Sequence, residues 1–297
     1  MHKLSTLSIV IPALNEQENI PQTMRAIPVD RLNKMGFEVE VLVVDNGSDD
    51  STAELARKSG AKVIVQPVRG YGNAYKAGFA NCSGDVIATG DADLTYPFST
   101  LPDTLSVLLR DELDFLSTDR LDCLTPGSMS ASHKWANHAL SMMCRTLFRS
   151  PFRDSQSGMW IFRRRVLDGL RMRAGGMAFS QELKLEVFRS GYRCGELPID
   201  YLPRGGQTKM RGLRDGSMVA FHMLAHRLRT FGRVGGMPPV PELEAAELEA
   251  AGLEAAGLEA AGLEAAGLEA EGLPAVPERK AAGAAWQDEK VAERVVV

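Results

Sequence analysis

Short apolar runs alternating with helix-length amphipathic stretches constrain this chain more than any other feature. Residues 7–11 (Leu-Ser-Ile-Val-Ile) read as a buried strand closed by Pro12. Residues 38–44 (Glu-Val-Glu-Val-Leu-Val-Val) read as a second strand, rich in β-branched residues. A helix is predicted between them, from about Glu16 to Ile27. Ser51 is placed to cap the next helix, with Glu54 three residues on completing a capping box. Strand 62–65, helix 72–82, strand 85–89, helix 99–110 and a strand near 114–117 follow. Such alternation predicts an α/β domain whose mostly parallel sheet carries helices on both faces. Beyond it the pattern predicts helix 132–149, mixed structure to 203 and helix 213–231.

Ligands of such sheets bind beyond the carboxyl ends of the strands. Here three strands empty into polar turns: Asn15-Glu16, Asp45 to Asp50, and Asp91 to Thr95. That placement makes a binding protein or enzyme the expectation and a purely structural role a coincidence.

The division predicted is a domain over 1–233 and a low-complexity tail over 234–297. In the tail Leu recurs every five residues from Leu243 to Leu273, within an Ala-Gly-Leu-Glu-Ala repeat. A five-residue step turns each Leu by roughly 140° round a helix, so no stripe forms. Each Gly costs about 1 kcal/mol against Ala. A frayed helix or disordered tail is expected, not a coiled coil. The tail holds 13 acidic and 4 basic residues, net −9, against 25 acidic and 30 basic in the rest, net +5. A mildly basic body suits anionic ligands or an anionic membrane surface.

No run of 18 apolar residues is present, so no membrane-spanning helix is predicted. Met1-His2-Lys3 runs into the first strand without the apolar stretch of a signal peptide, and cytoplasmic residence is the expectation. Cys82, Cys123, Cys144 and Cys194 are far apart with no Cys-x-x-Cys pair, which predicts reduced, mostly buried thiols and no zinc site.

The sharpest chemical signal is Thr89-Gly90-Asp91-Ala92-Asp93-Leu94-Thr95. Two carboxylates two residues apart at a strand end can share a hard divalent cation, Mg²⁺ or Mn²⁺, which prefers oxygen ligands and bridges to substrate phosphates. Alone, the same residues also fit a solvated turn. Arg69-Gly70-Tyr71-Gly72-Asn73-Ala74 is glycine-rich but matches neither a Walker sequence nor the full dinucleotide fingerprint. Arg204-Gly205-Gly206-Gln207-Thr208-Lys209, trailed by Arg211 and Arg214, suits phosphate binding or an ordinary basic surface loop.

Taken in order, these segments resemble the family 2 glycosyltransferases of GT-A fold. The shared elements are Pro12-Ala13-Leu14-Asn15-Glu16, Asp45-Asn46-Gly47-Ser48 and Asp91-Ala92-Asp93-Leu94. Gly70-Tyr71-Gly72-Asn73-Ala74, Arg120, Asp154-Ser155-Gln156-Ser157-Gly158 and the Arg204 to Lys209 loop resemble the dolichol-phosphate mannosyltransferase-like branch, which makes polyprenyl-phosphate sugars. The resemblance covers roughly residues 5–230. It implies a metal-dependent, inverting hexosyltransferase that uses a GDP- or UDP-sugar and a polyprenyl phosphate. Pro12, Leu14, Glu16, Val44 and Asn46 would line the nucleotide pocket, with Ala92. Asp91 and Asp93, with Thr95, would hold metal and diphosphate. Arg120, Arg204 and Lys209 would bind phosphates, and Asp93 and these three carry the catalytic assignment. Asp154, Ser157, Gly158 and Glu182 would form the acceptor side.

Two positions depart from the family pattern. Asn46 replaces the second Asp of Asp-Asp-Gly-Ser, and Trp160 stands where Arg is common. The 213–231 helix, with Arg227, Arg229 and apolar neighbours, is a candidate for peripheral membrane contact or for plain packing on the body. Nucleic acid is not an expected partner. The alternatives are a family 2 enzyme with a soluble acceptor, a nucleotidyltransferase and a non-catalytic nucleotide-sugar-binding protein. The first strand's exit lacks the glycine- and arginine-rich activation loop of the nucleotidyltransferases.

Overall fold

The structure, a computed structural model, describes residues 5–205 and 212–230. Lys209 of the basic loop and the repeat tail from 234 lie outside the described residues.

Seven strands form one sheet in the order β3-β2-β1-β4-β6-β5-β7. They are β1 (Ser5–Ala13), β2 (Phe37–Asp45), β3 (Lys62–Val65), β4 (Val86–Thr89), β5 (Phe115–Asp119), β6 (Trp160–Arg163) and β7 (Cys194–Pro198). Only β6 runs against its neighbours, pairing antiparallel with β4 and β5. The mostly parallel sheet read from the sequence is the one observed. The helices are α1 (Ile20–Ala26), α2 (Val29–Lys34), α3 (Thr52–Lys58), α4 (Tyr71–Asn81), α5 (Leu101–Arg110), α6 (Ala131–Phe148), α7 (Phe179–Arg189) and α8 (Gly212–Arg229).

Apolar side chains cover both sheet faces, as buried parallel strands require. One cluster gathers Ile9, Ile11, Val43, Leu105 and Leu116; the other gathers Val10, Val44, Tyr75, Phe115, Trp160 and Phe179. Alternate residues of β1 thus feed opposite faces, the period-2 geometry of a strand. A third, smaller cluster of Cys144, Phe148, Leu185 and Met223 joins α6, α7 and α8. Cys82, Cys144 and Cys194 are buried free thiols.

Two local expectations are corrected. The helix expected from Glu16 begins at Ile20, with Pro21 in its first turn. Asn15 takes a left-handed conformation (φ 52°), and the Glu16 carbonyl accepts from Asn19 N–H and Ile20 N–H, so 15–19 is a tight turn. The Ser51–Glu54 capping box does not form. The Asp50 carboxylate instead accepts from Thr52 N–H at 2.9 Å, while Glu54 pairs with Lys58 at 2.6 Å. Ser51 N–H, which a capping box gives to the glutamate, donates to Gln17 Oε1 at 3.2 Å.

Parallel pairing of β1 with β2 and β4 sets the functional edge. Pro12 lies opposite Val44 and Ala13 opposite Asp45, so the two strands end side by side. The loops after them then lock together. Asn15 N–H donates to Ser48 Oγ (2.9 Å), Asp49 N–H to Asn15 Oδ1 (2.8 Å) and Glu16 N–H to Thr52 Oγ1 (2.8 Å).

Helix α4 packs directly on β1 and β2 through Gly78, where an added Cβ would stand 2.3 Å from Val10 Cγ1 and 3.1 Å from Val44 Cγ2. Both valines belong to the sheet core and have no room to retreat. Gly78→Ala should therefore destabilise the fold by about 1–3 kcal/mol despite its better helix propensity. Urea unfolding followed by circular dichroism measures this; equal or higher stability would contradict the packing described.

Candidate active site

A pocket of about 700 Å³ opens at the carboxyl ends of β1, β2 and β4. Pro12, Leu14, Glu16, Asn46, Asp91, Ala92, Asp93, Arg120 and Arg204 line it. These nine sequence-predicted residues come from five separate segments, and the sheet edge brings them together.

The acidic pair sits at the centre. Asp93 is almost fully buried. Its Oδ1 accepts from Thr95 N–H (3.1 Å) and Thr95 Oγ–H (2.6 Å), and its Oδ2 meets Arg204 Nη2 at 2.6 Å. Leu94, between the two, has φ 68°, an uncommon conformation for a non-glycine residue. That kink turns Thr95 back onto Asp93. The backbone carbonyls of the segment are claimed as well. Asp93 O accepts from Gly205 N–H (2.9 Å) and Ala92 O from Thr23 Oγ–H (2.9 Å).

Asp91 Oδ1 accepts from Tyr71 Oη–H at 3.1 Å. Tyr71 reaches it because Gly158 has no side chain; a Cβ there would lie 2.1 Å from the tyrosine oxygen. Burial, and then the Asp93 carboxylate, push the Asp91 carboxyl up to about 7, with Arg204 opposing them. Two carboxylates held this close in a desolvated site repel each other. Arg204 offsets only part of the paired negative charge, and a divalent cation would offset the rest. Two carboxylates with an open pocket side fit a cation whose remaining ligands are phosphate oxygens and water. Among the described residues no group of three or more His, Cys, Asp or Glu is arranged to hold a metal alone.

On the opposite wall Arg120 makes a side-on bidentate pair with Asp154: Nε to Oδ2 at 2.6 Å and Nη2 to Oδ1 at 3.1 Å. Its guanidinium lies 5.2 Å from the centre of the Tyr201 ring. Burial works to raise the Asp154 carboxyl, but the Arg120 guanidinium prevails and holds it below the usual carboxylate range. Asn46 is buried at the pocket floor. Its N–H continues the β1–β2 ladder to Ala13 O (2.8 Å), while its Oδ1 has no partner among the described residues. A ligand N–H donor would satisfy that oxygen.

Not every predicted residue faces the cavity. Val44 belongs to the core cluster under α4. Thr95 supports Asp93 from behind. Ser157 is buried against Thr118 (2.7 Å), and Gly158 N–H donates to Tyr96 Oη (2.7 Å). Glu182 accepts from the N–H groups of Arg173 (2.9 Å) and Ala174 (2.6 Å). Val44, Thr95, Asp154, Ser157, Gly158 and Glu182 thus form the layer behind the wall, where they shape the lining residues without lining the pocket themselves.

The sequence reading missed Tyr71, Tyr96 and Tyr201, and the α6 face of His133, Asn137 and Leu140, all of which line the pocket. Tyr71 lies inside a quoted motif and Tyr96 beside Thr95, so proximity to the motifs was a usable signal. The α6 residues carried none, because that wall is made by long-range packing.

The raised Asp91 carboxyl has a stability consequence. A carboxyl whose folded pKa exceeds its unfolded value stabilises the fold at low pH, and that stability is lost as pH rises through about 7. Asp91→Asn removes the charge but keeps an oxygen for Tyr71. In chelator-treated protein it should raise the melting temperature at pH 8 by about 2–8 °C and change it little at pH 4. A lower melting temperature at pH 8 would show that Asp91 is not under charge strain.

A family model described as Glycosyl transferase family 2 matches residues 8–171. The low-salt glycan biosynthesis hexosyltransferase Agl6 of Haloferax volcanii is 35% identical over 213 residues, 71% of this chain and 51% of the relative. This chain thus spans about half the length of that relative. The dolichyl-phosphate hexose transferase of the same organism is 34% identical over 215 residues, 72% of this chain and 90% of the relative. In fold, the chain is similar to glucosyl-3-phosphoglycerate synthase of Mycobacterium tuberculosis, solved with Mn²⁺, UDP-glucose and phosphoglyceric acid. The TM-score is 0.58 at 22% identity, over 75% of this chain and 79% of that one. With the α/β sheet, the polar edge and a match over more than half its length, the chain belongs to glycosyl transferase family 2: it is a glycosyltransferase of GT-A fold.

Proposed function

We propose that this enzyme moves a hexose from a GDP- or UDP-sugar to a polyprenyl phosphate by a single, inverting displacement that depends on Mg²⁺ or Mn²⁺. The observation that carries the reading is one pocket lined by two carboxylates, half-buried Asp91 and buried Asp93, and two guanidiniums, Arg120 and Arg204. Such a set suits two phosphorylated partners, one bound through a cation and one bound by arginine directly. The relative named a dolichyl-phosphate hexose transferase supports the lipid phosphate as acceptor.

Asp91 and Asp93 would hold the cation. When bound, it offsets the negative charge that builds on the departing nucleoside diphosphate. The protein groups do the rest. Pro12, Leu14, Glu16 and Asn46 hold the nucleoside, with Asn46 Oδ1 as an acceptor for a base N–H. The phosphate acceptor is already an anion at neutral pH, so its oxygen attacks the anomeric carbon without a strong general base. Arg120 holds that phosphate in line. Arg204 exchanges its contact with Asp93 for an oxygen of the acceptor phosphate and helps to bind it.

The acceptor also explains an exposed apolar stripe. Helix α8 presents Met218, Phe221, Leu224 and Leu228 to solvent, with Arg227 and Arg229 beside them. No helix among the described residues is long and apolar enough to cross a membrane. This stripe would rest on an anionic bilayer and bring the pocket to its lipid substrate. Wild-type protein should co-sediment with vesicles containing anionic lipid, and Phe221→Glu/Leu228→Glu should stay in the supernatant. Equal sedimentation would remove α8 from this role.

The central test is a transfer assay with undecaprenyl phosphate, Mg²⁺ or Mn²⁺ and a panel of labelled nucleotide sugars, counting label in the organic phase. Metal-dependent label from one donor is expected. Asp93→Ala should lose at least about 100-fold in turnover while remaining folded, and Arg204→Ala should mainly raise the KM for the lipid phosphate. Release of nucleoside diphosphate without lipid label would move the acceptor to a soluble molecule. Full turnover in Asp93→Ala would sink the metal assignment.

A further inference from the structure

Asp154, the partner of Arg120, stands on a loop with no regular structure between α6 and β6. A buried irregular loop must find partners for every backbone polar group. Here side chains from outside the loop supply several of them. Glu196 on β7 accepts from two successive N–H groups, Arg153 at 2.6 Å and Asp154 at 3.4 Å. Ser141 on α6 accepts from Ser155 N–H at 3.0 Å. Lys184 on α7 donates through Nζ to the Asp154 carbonyl. The Asp154 carboxylate itself takes Gln156 N–H at 3.0 Å and Arg120 N–H at 3.2 Å, besides the guanidinium.

Glu196 and Lys184 are both nearly fully buried, and neither lines the pocket. Burying such groups is costly, and replacing them by packed apolar residues is often neutral or stabilising. Their value is therefore better sought in geometry than in stability. The geometry is rigid at both ends. Glu196 lies on β7 opposite Ser117 of β5, in parallel register, and β5 ends at Asp119, next to Arg120. The brace and the arginine thus hang from adjacent strands, while Asp154 closes the circuit between them. Arg120 spends its Nε and Nη2 on Asp154, makes no side-chain hydrogen bond through Nη1 among the described residues, and lines the cavity.

We infer that Glu196 and Lys184 are positioning residues for Arg120: by fixing the loop backbone at Arg153 and Asp154 they aim the Arg120 guanidinium at the acceptor phosphate. This rests on the reading of Arg120 as a phosphate ligand. A misplacement of about 1 Å in such a group can cost on the order of 100-fold. Neither Glu196 nor Lys184 touches substrate in this account; both act through Asp154.

The test is a double-mutant cycle on the full chain, read by calorimetric binding of farnesyl phosphate, with transfer to undecaprenyl phosphate recorded separately. Arg120→Ala and Glu196→Ala should each weaken farnesyl phosphate binding by about 10- to 100-fold. The double variant should bind no more weakly than Arg120→Ala alone, because both changes remove one interaction. Glu196→Gln keeps an oxygen for Arg153 N–H and should recover most of the affinity. Lys184→Met should behave like Glu196→Ala in the same cycle. If Glu196→Ala does not fold, as judged by near-ultraviolet circular dichroism, Glu196→Gln and Lys184→Met carry the cycle. Losses that multiply in the double variant, or wild-type binding by Glu196→Ala or Lys184→Met, would overturn the inference in favour of a purely structural role. Wild-type binding by Arg120→Ala has a different meaning: Arg120 is then no phosphate ligand, and the inference falls with that assignment. Absent lipid transfer with an intact binding cycle would instead count against the proposed reaction alone.

Discussion

The repulsion between Asp91 and Asp93 organises this molecule. Two carboxylates two residues apart, one buried and one half-buried, need positive charge or hydrogen-bond donors to offset their repulsion. The chain supplies Tyr71 to Asp91 and Thr95 and Arg204 to Asp93. Each donor imposes its own requirement. Tyr71 needs Gly158 to be a glycine. Thr95 needs the left-handed turn at Leu94. Arg204 needs its loop fastened, which Gly205 N–H achieves by donating to Asp93 O, and Asn19 Nδ2 by donating to Gly205 O at 2.9 Å. Much of the detail around the pocket is therefore a consequence of placing two acids side by side.

The sheet makes that placement possible. In parallel strands the carboxyl ends fall on one edge, so the turns after β1, β2 and β4 become neighbours without any long connection. The antiparallel insertion of β6 then brings the Asp154 to Gly158 loop to the same edge from the other direction. Arg120, paired with Asp154, thus reaches the cavity from that side, while the acidic pair, with Arg204 on Asp93, comes from the parallel strands and the 204–205 segment.

Legibility in the sequence tracks the range of the interactions involved. Strand positions and the polar edge are readable because β-branched runs and turn residues act within a few positions of themselves. Asp91, Asp93, Asn46 and Arg204 are readable because their residue types are costly to place at such positions without a function. The capping box at Ser51 does not form because Gln17, far off in the chain, takes the Ser51 N–H while Glu54 pairs with Lys58. The first helix starts later than its pattern suggests because the turn at Asn15 to Asn19 is held by bonds to the 48–52 loop, which no local pattern reports. Val44, Thr95, Ser157 and Glu182 read with the site but stand in the layer behind the lining residues, a distinction of one side-chain length that spacing cannot make.

By itself the sequence determined the fold class, the edge on which chemistry takes place and the acidic pair that marks it, since periodicity and residue type express short-range physics. Only the tertiary structure decided which of these residues meet the cavity. It set Arg204 on Asp93, Tyr71 on Asp91 and α6 as the far wall, and it tied Glu196 and Lys184 to Arg120 through a loop. Those contacts join residues far apart in the chain, and their geometry exists only once the sheet has set the strands beside one another.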